Sequence, residues 1–186
     1  MKRLAVFCGA STQVEAGYLA IARELGQQLA ASGIELVYGG ASVGLMGAVA
    51  SGALENGGHV IGVMPDFMSS VEVTHQHIQD IRIVRSLHER KQLMADLSDG
   101  FIALPGGYGT LDELFEIVTW KQIGLHQKPI GILNFRSYFD PLLQFREHAI
   151  QTGFVRHEPR DLFIVSDTIP DLLARLQTLG CASISK

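Results

Sequence analysis

The sequence predicts an α/β fold in which one parallel sheet lies between two layers of helices. Short, continuously apolar segments alternate along the whole chain with helix-length segments whose apolar residues recur at helical spacing. Strands that are apolar at every position are typical of a parallel sheet covered on both faces. No linker, repeat or low-complexity tract interrupts this alternation. We therefore expect residues 1–186 to form one domain.

Six segments are predicted to be buried strands because each is short and predominantly apolar, with Glu35 as the one charged residue among them. They are residues 4–8, 34–38, 60–64, 101–104, 130–133 and 163–165. The segments that alternate with them are predicted to be helices. They are residues 15–32, 43–56, 87–97, 111–123, 139–151 and 170–179.

The segment 66–85 fits this alternation least well. It is polar and ends in the alternating run Ile81-Arg82-Ile83-Val84. We interpret it as an excursion with a short extra strand. Since ligands of open α/β sheets bind outside the carboxyl ends of the strands, this excursion is expected near the mouth of a site.

Composition and charge exclude several classes of protein. Apolar residues make up 47% of the chain and charged residues 18%, which indicates a globular protein. A net charge of −4 without a basic block disfavours binding to nucleic acid, and no segment approaches the roughly 20 apolar residues of a membrane helix. Cys8 and Cys181 suggest neither a disulfide framework nor a metal site, and His75 and His77 lack a third ligand. We expect a cytoplasmic protein without a metal or cofactor.

Two glycine-rich loops follow predicted strands and precede predicted helices. The first glycine loop (residues 39–47) reads GGASVGLMG, and the second glycine loop (residues 105–110) reads PGGYGT. Glycine lets the backbone approach a ligand, and the N–H groups at the start of the next helix attract a phosphate. Neither loop is a Walker motif, and dinucleotide binding is weakly supported because GxGxxG is absent. The pair indicates a ligand that carries a phosphate and a further group.

Arg90 lies on the apolar face of the predicted helix 87–97, which begins with the capping box Ser86–Glu89. A charge on that face either meets a carboxylate or reaches solvent at the helix end. Both alternatives stay open from the sequence alone. Lys91 stands at the wrong end of the helix for its dipole, which hints at an anionic partner.

Glu113 also has two interpretations. In the run Thr110-Leu111-Asp112-Glu113 it can complete a capping box. It also shares a helix stripe with Ile117 and Trp120, which places a carboxylate at the edge of the second glycine loop, within reach of a bound sugar. The same helix is apolar on most sides, so we expect a homodimer that pairs through residues 111–123.

Together, these motifs resemble the Lonely guy family, formerly labelled lysine decarboxylase-like. Residues 105–113 fit its signature PGGxGTxxE, and His88-Glu89-Arg90-Lys91 fits its second motif. The resemblance runs from about residue 4 to beyond residue 150. Ala41, Leu87 and Asp112 depart from the family's usual glycine, methionine and glutamate, and none of them removes a catalytic group.

The resemblance implies a Rossmann-like fold, a homodimer and phosphoribohydrolase activity on cytokinin riboside 5′-monophosphates or AMP. Carried over by motif, Arg90 and Glu113 are the catalytic pair, and Glu72 matches an acidic position used toward the base. The residues implied to bind substrate are Lys91, Gly106, Gly107, Tyr108, Gly109, Thr110, Leu111, Asp112 and Thr119.

The cleaved bond leaves an oxocarbenium-like sugar, so we expect Glu113, kept ionised by Arg90, to stabilise that cation or to orient water. Both glycine loops are expected to anchor the phosphate. Two alternatives remain. The first is a nucleotide-binding module without chemistry. The second is a pyridoxal phosphate-dependent decarboxylase, for which Lys91 is the lysine near the motifs. The preferred base stays open.

Overall fold

The computed structural model describes residues 1–68, 78, 80–155 and 162–184. The strands are β1 (Arg3–Phe7), β2 (Glu35–Tyr38), β3 (Val60–Pro65), β4 (Asp80–Val84), β5 (Gly100–Ala103), β6 (Ile130–Leu133) and β7 (Ile164–Ser166). The α-helices are α1 (Ala16–Ala31), α2 (Gly44–Glu55), α3 (Leu87–Leu97), α4 (Tyr108–Gln122), α5 (Asp140–Gln151) and α6 (Ile169–Ile184). Two short 3₁₀ helices cover Asp66–Met68 and Phe135–Ser137.

All seven strands form one parallel sheet in the order β4-β3-β2-β1-β5-β6-β7. The chain moves outward from β1 to β4 and then returns to the other side of β1 with β5. The direction of winding therefore reverses between β1 and β5. In an open parallel sheet, a crevice forms at the carboxyl ends of the strands on either side of such a reversal.

Apolar side chains cover both faces of the sheet. Along β1, Leu4 and Val6 belong to one core cluster, which contains residues of α1, α2 and α6. Ala5 and Phe7 point to the opposite cluster, which contains residues of α3 and α4. This alternation confirms the three-layer arrangement that the continuously apolar strands predict.

The predicted elements are confirmed, with most ends displaced by one residue, although α6 ends at Ile184 and not at the predicted residue 179. The extra strand at the end of segment 66–85 is β4, at the edge of the sheet. The start of α4 is different: it begins at Tyr108, three residues before the prediction, with Gly107 as its N-cap. Thr110 therefore lies inside the first turn, and the predicted capping box Thr110–Glu113 is wrong. Within the described residues, no helix has both the length and the apolar composition needed to cross a bilayer.

Candidate active site

A cavity of about 730 Å³ opens at the carboxyl ends of β1 and β5, where the winding reverses. Most of its lining comes from residues 8–18 after β1, the second glycine loop after β5 and the start of α2, and the rest comes from α3, α4 and two turns. The residues that line it are Cys8, Gly9, Ala10, Ser11, Gln13, Val14, Glu15, Tyr18, Leu45, Met46, Met68, Leu87, Arg90, Pro105, Gly106, Gly107, Gly109, Thr110, Glu113 and Tyr138. The cavity therefore lies where the topology places a ligand.

The second glycine loop leaves the amides of the following helix open. Within the described residues, the backbone N–H groups of Tyr108, Gly109 and Thr110 have no hydrogen-bond partner, and that of Leu111 is the first to bond back, to the Gly107 carbonyl at 3.1 Å. Neither Gly107 nor Gly109 has a neighbouring atom where a Cβ would stand. The first turn of α4 therefore offers free donors and the positive end of the helix dipole.

Gly106 is closely confined, in contrast to the two glycines after it. A Cβ on Gly106 would overlap with the Thr110 side chain and would lie 2.8 Å from the backbone nitrogen of Gly9. That nitrogen donates to the Pro105 carbonyl at 3.1 Å. Glycine is required at position 106 because β1 and the second glycine loop approach each other there.

In the first glycine loop, two amides at the start of the following helix are already bonded. The backbone N–H groups of Leu45 and Met46, in the first turn of α2, both point to the Gly9 carbonyl, at 2.9 and 3.3 Å. Gly44 has a φ of +59°, and a Cβ there would overlap with Ala10. Leu45 and Met46 line the cavity, but their amides are used by the Gly9 carbonyl, so a phosphate contact from this loop stays a prediction.

Arg90 and Glu113 meet at the floor of the cavity. The Arg90 Nη1 lies 3.2 Å from the Glu113 Oε1, and the two residues are only 8% and 5% exposed. The Arg90 Nε donates to the Val63 carbonyl at 3.0 Å. A Cβ on Gly39 would overlap with the Arg90 guanidinium, so the first glycine loop provides the space for this side chain. Of the two alternatives for Arg90, pairing with a carboxylate is the one observed.

Burial raises the pKa of Glu113 from 4.5 to about 7, and the positive charge of Arg90 opposes this rise. The sequence-based expectation was that Arg90 keeps Glu113 ionised. The guanidinium only partly offsets desolvation, so near neutral pH the carboxyl group exchanges a proton readily. Such a pKa is suited to proton transfer or to charge stabilisation in a closed site.

Lys91 has anionic partners, but they are protein side chains. Its Nζ lies 3.0 Å from Asp112 Oδ2 and 3.1 Å from Glu116 Oε1, and the side chain is largely buried. Desolvation lowers the pKa of Lys91, but its hydrogen bonds and charge attraction to the two carboxylates raise that pKa by more. The net shift is therefore upward. Lys91 thus ties α3 to α4 beside the catalytic candidates and does not line the cavity.

The other predicted site residues divide into two groups. The cavity is lined by Gly106, Gly107, Gly109 and Thr110. Its lining does not include Tyr108, Leu111, Asp112 or Thr119. The Tyr108 side chain is 94% exposed, and the Thr119 hydroxyl donates to the Phe115 carbonyl at 2.7 Å. Glu72, His75 and His77 lie outside the described residues. Among the residues that the structure describes, no group of three His, Cys, Asp or Glu side chains is arranged to hold a metal ion.

Sequence reasoning missed the segment after β1 and the aromatic side of the cavity. Gly9 and Ser11 follow a strand end in the same way as the two glycine loops, which was an available signal. Tyr138 lies in a turn far along the chain and donates its hydroxyl to the Gly106 carbonyl at 2.7 Å. Its position depends on the strand order, which no local pattern reveals.

Comparison with known proteins agrees with this geometry. A family model described as "Possible lysine decarboxylase" matches residues 46–176. The curated relatives have a different reaction in their names. A probable cytokinin riboside 5′-monophosphate phosphoribohydrolase of rice (Oryza sativa subsp. japonica) is 48% identical over 176 residues, which is 95% of this chain and 72% of the relative. A second rice protein, named as a cytokinin riboside 5′-monophosphate phosphoribohydrolase, is 45% identical over 95% of this chain and 73% of its own length.

A solved structure shares the fold. The molybdenum cofactor carrier protein of Chlamydomonas reinhardtii superposes with a TM-score of 0.73 over 97% of this chain and 98% of that chain. The two sequences are 23% identical. This likeness concerns the arrangement of strands and helices alone.

Proposed function

We propose, since the chain belongs to the Lonely guy family of cytokinin riboside 5′-monophosphate phosphoribohydrolases, that its cavity binds a nucleoside 5′-monophosphate and that Arg90 and Glu113 cleave the N-glycosidic bond. As a member of this family the protein is a hydrolase of N-glycosyl bonds. Its products are a free base and ribose 5-phosphate.

One observation carries the assignment of roles within the cavity. A buried ion pair between Arg90 and Glu113 lies at the floor of a cavity whose rim includes the open first turn of α4. A nucleotide whose 5′-phosphate meets the amides of that turn has its sugar next to the start of the same helix. Glu113, one turn further along the helix, is then a buried carboxyl group beside that sugar.

The mechanism follows from the charge that develops on the sugar. As the bond to the base breaks, the ribose gains oxocarbenium character. Ionised Glu113 stabilises that cation through the ribose hydroxyls or orients the attacking water, and Arg90 holds the carboxylate in place. The phosphate anchor keeps the sugar from moving away while the charge develops. Met46, Met68 and Leu87 form an apolar part of the lining that suits the base.

The test is an assay of base release. Incubation with AMP and with isopentenyl-AMP, followed by chromatography, is expected to yield free base and ribose 5-phosphate. Glu113→Gln and Arg90→Ala are each expected to lower kcat by a factor on the order of 10²–10³. Near-normal turnover in either variant would remove that residue from the catalytic pair.

The same assay addresses the two alternatives. A nucleotide-binding module predicts that AMP binds without release of adenine. A pyridoxal phosphate-dependent decarboxylase needs a lysine in the cavity, and none of the described lining residues is a lysine. Cadaverine formed from lysine by the purified protein would support that reaction instead.

We also propose that the whole chain acts as one nucleotide-binding domain in a cytoplasmic homodimer. A single seven-stranded sheet supports the first part. Exposed apolar side chains on and just after α4 support a dimer, among them Phe115, Ile123 and Leu125. Light scattering at micromolar concentration is expected to give twice the mass of the chain, and a monomeric mass would contradict the dimer.

A further inference from the structure

The peptide group that joins Gly106 to Gly107 has an unusual freedom. A trans peptide is planar, so its C=O and N–H point in opposite directions and turn together. With a glycine on each side, this peptide can rotate at little steric cost. In one orientation it directs an N–H toward an anion at the start of α4. In the opposite orientation it directs a carbonyl oxygen there, which repels the anion.

Two hydrogen bonds restrain this part of the second glycine loop. The peptide before Gly106 is fixed by β1, because the Gly9 N–H donates to the Pro105 carbonyl at 3.1 Å. The peptide after Gly106 is fixed by a side chain, because the Tyr138 hydroxyl donates to the Gly106 carbonyl at 2.7 Å. Within the described residues, no other hydrogen bond holds that carbonyl.

The turn that presents Tyr138 is strained. Arg136 and Ser137 have φ values of 54° and 58°, and they are the only non-glycine residues with positive φ in the described ranges. The Asn134 side chain restrains this turn with two hydrogen bonds. Its Oδ1 accepts a hydrogen bond from the Phe139 N–H, and its Nδ2 donates one to Asp140, both at 2.8 Å. Strain of this kind persists where the surrounding structure enforces it, and it concentrates at functional sites.

The segment after β1 supports the same turn from the other side. The Arg136 Nη1 lies 2.9 Å from the Glu15 Oε2. The Tyr18 ring contacts the Tyr138 ring edge-on, with centroids 5.9 Å apart. Both Glu15 and Tyr18 line the cavity. The ring of Tyr138 is thus held by neighbours, and its hydroxyl is left to bond the second glycine loop.

We propose that Tyr138 is a positioning residue that fixes the Gly106 carbonyl and thereby aims the Gly107 N–H at the 5′-phosphate of the substrate. This inference rests on the proposed function. It assigns to Tyr138 an effect on the phosphate anchor and none on the bond that is cleaved. Loss of the hydroxyl should therefore weaken the enzyme's preference for AMP over adenosine.

The experiment compares kcat/KM for AMP and for adenosine in the wild type and in Tyr138→Phe. The loss of one neutral hydrogen bond is expected to lower the AMP value about 2- to 10-fold, while adenosine cleavage changes little. The inhibition constant of ribose 5-phosphate should rise by the same factor. Tyr138→Ala should show the same loss of preference and, because it also removes the ring, a lower Tm.

Tyr38→Phe is the matched control. Its hydroxyl is buried, has no hydrogen-bond partner among the described residues, and does not line the cavity. This variant should keep the wild-type preference for AMP. If Tyr138→Phe also keeps it, or loses activity on AMP and adenosine equally, the positioning role is wrong. A wild type that cleaves both substrates equally well would overturn the phosphate anchor and this inference with it, and a wild type that cleaves neither would overturn the proposed function itself.

Discussion

The two glycine loops occupy equivalent places in the fold but serve different purposes. Each follows a central strand, β2 or β5, and each leads into a helix. In the first glycine loop, the helix amides of Leu45 and Met46 bind the Gly9 carbonyl. In the second glycine loop, the first-turn amides of α4 have no partner within the described residues. Both helix starts line the cavity, but only the start of α4 keeps its first-turn amides free of partners within the described residues.

Glycines of the two loops also differ in the space around them. In the first glycine loop, a Cβ on Gly39 would meet Arg90 and one on Gly47 would meet the backbone of Ser42. In the second glycine loop, a Cβ on Gly107 or Gly109 would meet open space. A glycine-rich turn before a helix therefore indicates a ligand only where its amides remain free. The neighbouring strand, not the loop's own sequence, decides this.

The largest effect is expected from Gly39→Ala. The added methyl group would displace the Arg90 guanidinium, so kcat should fall by a factor on the order of 10²–10³, as for loss of a well-placed electrostatic group. Because Arg90 acts through Glu113 on the sugar and not on the phosphate, AMP and adenosine should lose activity equally. Gly106→Ala, in the second glycine loop, should instead reduce cleavage of AMP more than that of adenosine.

Steady-state kinetics with AMP and with adenosine separates these results, with circular dichroism and thermal unfolding to confirm that both variants fold. Near-normal turnover in Gly39→Ala would mean that Arg90 keeps its place without help from the first glycine loop. A selective loss of AMP cleavage in that variant would show that the first glycine loop also anchors the phosphate.

A smaller effect is expected from pH, which changes the ionisation of Glu113 in the Arg90–Glu113 pair. With a pKa of about 7, Glu113 is mostly neutral at pH 6 and ionised at pH 8. If the carboxylate is the active form, kcat should rise about tenfold from pH 6 to a plateau above pH 8. Gly39→Ala should displace the Arg90 charge that lowers this pKa. In that variant, the rise in kcat should therefore occur at higher pH.

The pH profile of kcat for AMP measures this shift, and Glu113→Gln should lose the rise altogether. A profile in Glu113→Gln that keeps the same rise would assign it to another group. A rate that increases toward acid would indicate that protonated Glu113 is the active form.

The sequence was sufficient for the strands, the helices and the identity of the central pair. Apolar runs of three to five residues predict buried strands because few other structures bury nearly every side chain of a short segment. The position of Arg90 on an apolar helix face marks it as unusual, but the sequence alone leaves open whether it meets a carboxylate or reaches solvent. Its partner Glu113 was found by motif, since the two lie on different helices.

Other features depend on strand order and could not be predicted. The occupied amides of α2 result from the approach of Gly9, which requires β1 to lie between β2 and β5. The role of Gly39 depends on Arg90 reaching across from α3. The sequence predicts a start of α4 that is too late because glycines at 107 and 109 are typical of a loop, although the first is an N-cap and the second is helical.

The smallest effect is expected in the turn that presents Tyr138 to the second glycine loop. The first glycine loop uses glycine where φ is positive, at Gly40 and Gly44, whereas Ser137 adopts a φ of 58° with a side chain. Ser137→Gly removes that steric cost but adds freedom to the unfolded chain, so the net gain should be about 0.5–1 kcal/mol. For a protein of this size, that corresponds to an increase in Tm of about 1–4 °C.

Ser32→Gly is the matched control, since Ser32 is exposed with a φ of −88°, and it should lower Tm slightly. Differential scanning calorimetry measures both, and an unchanged or lower Tm in Ser137→Gly would mean that the serine side chain contributes more to the turn than its backbone strain costs.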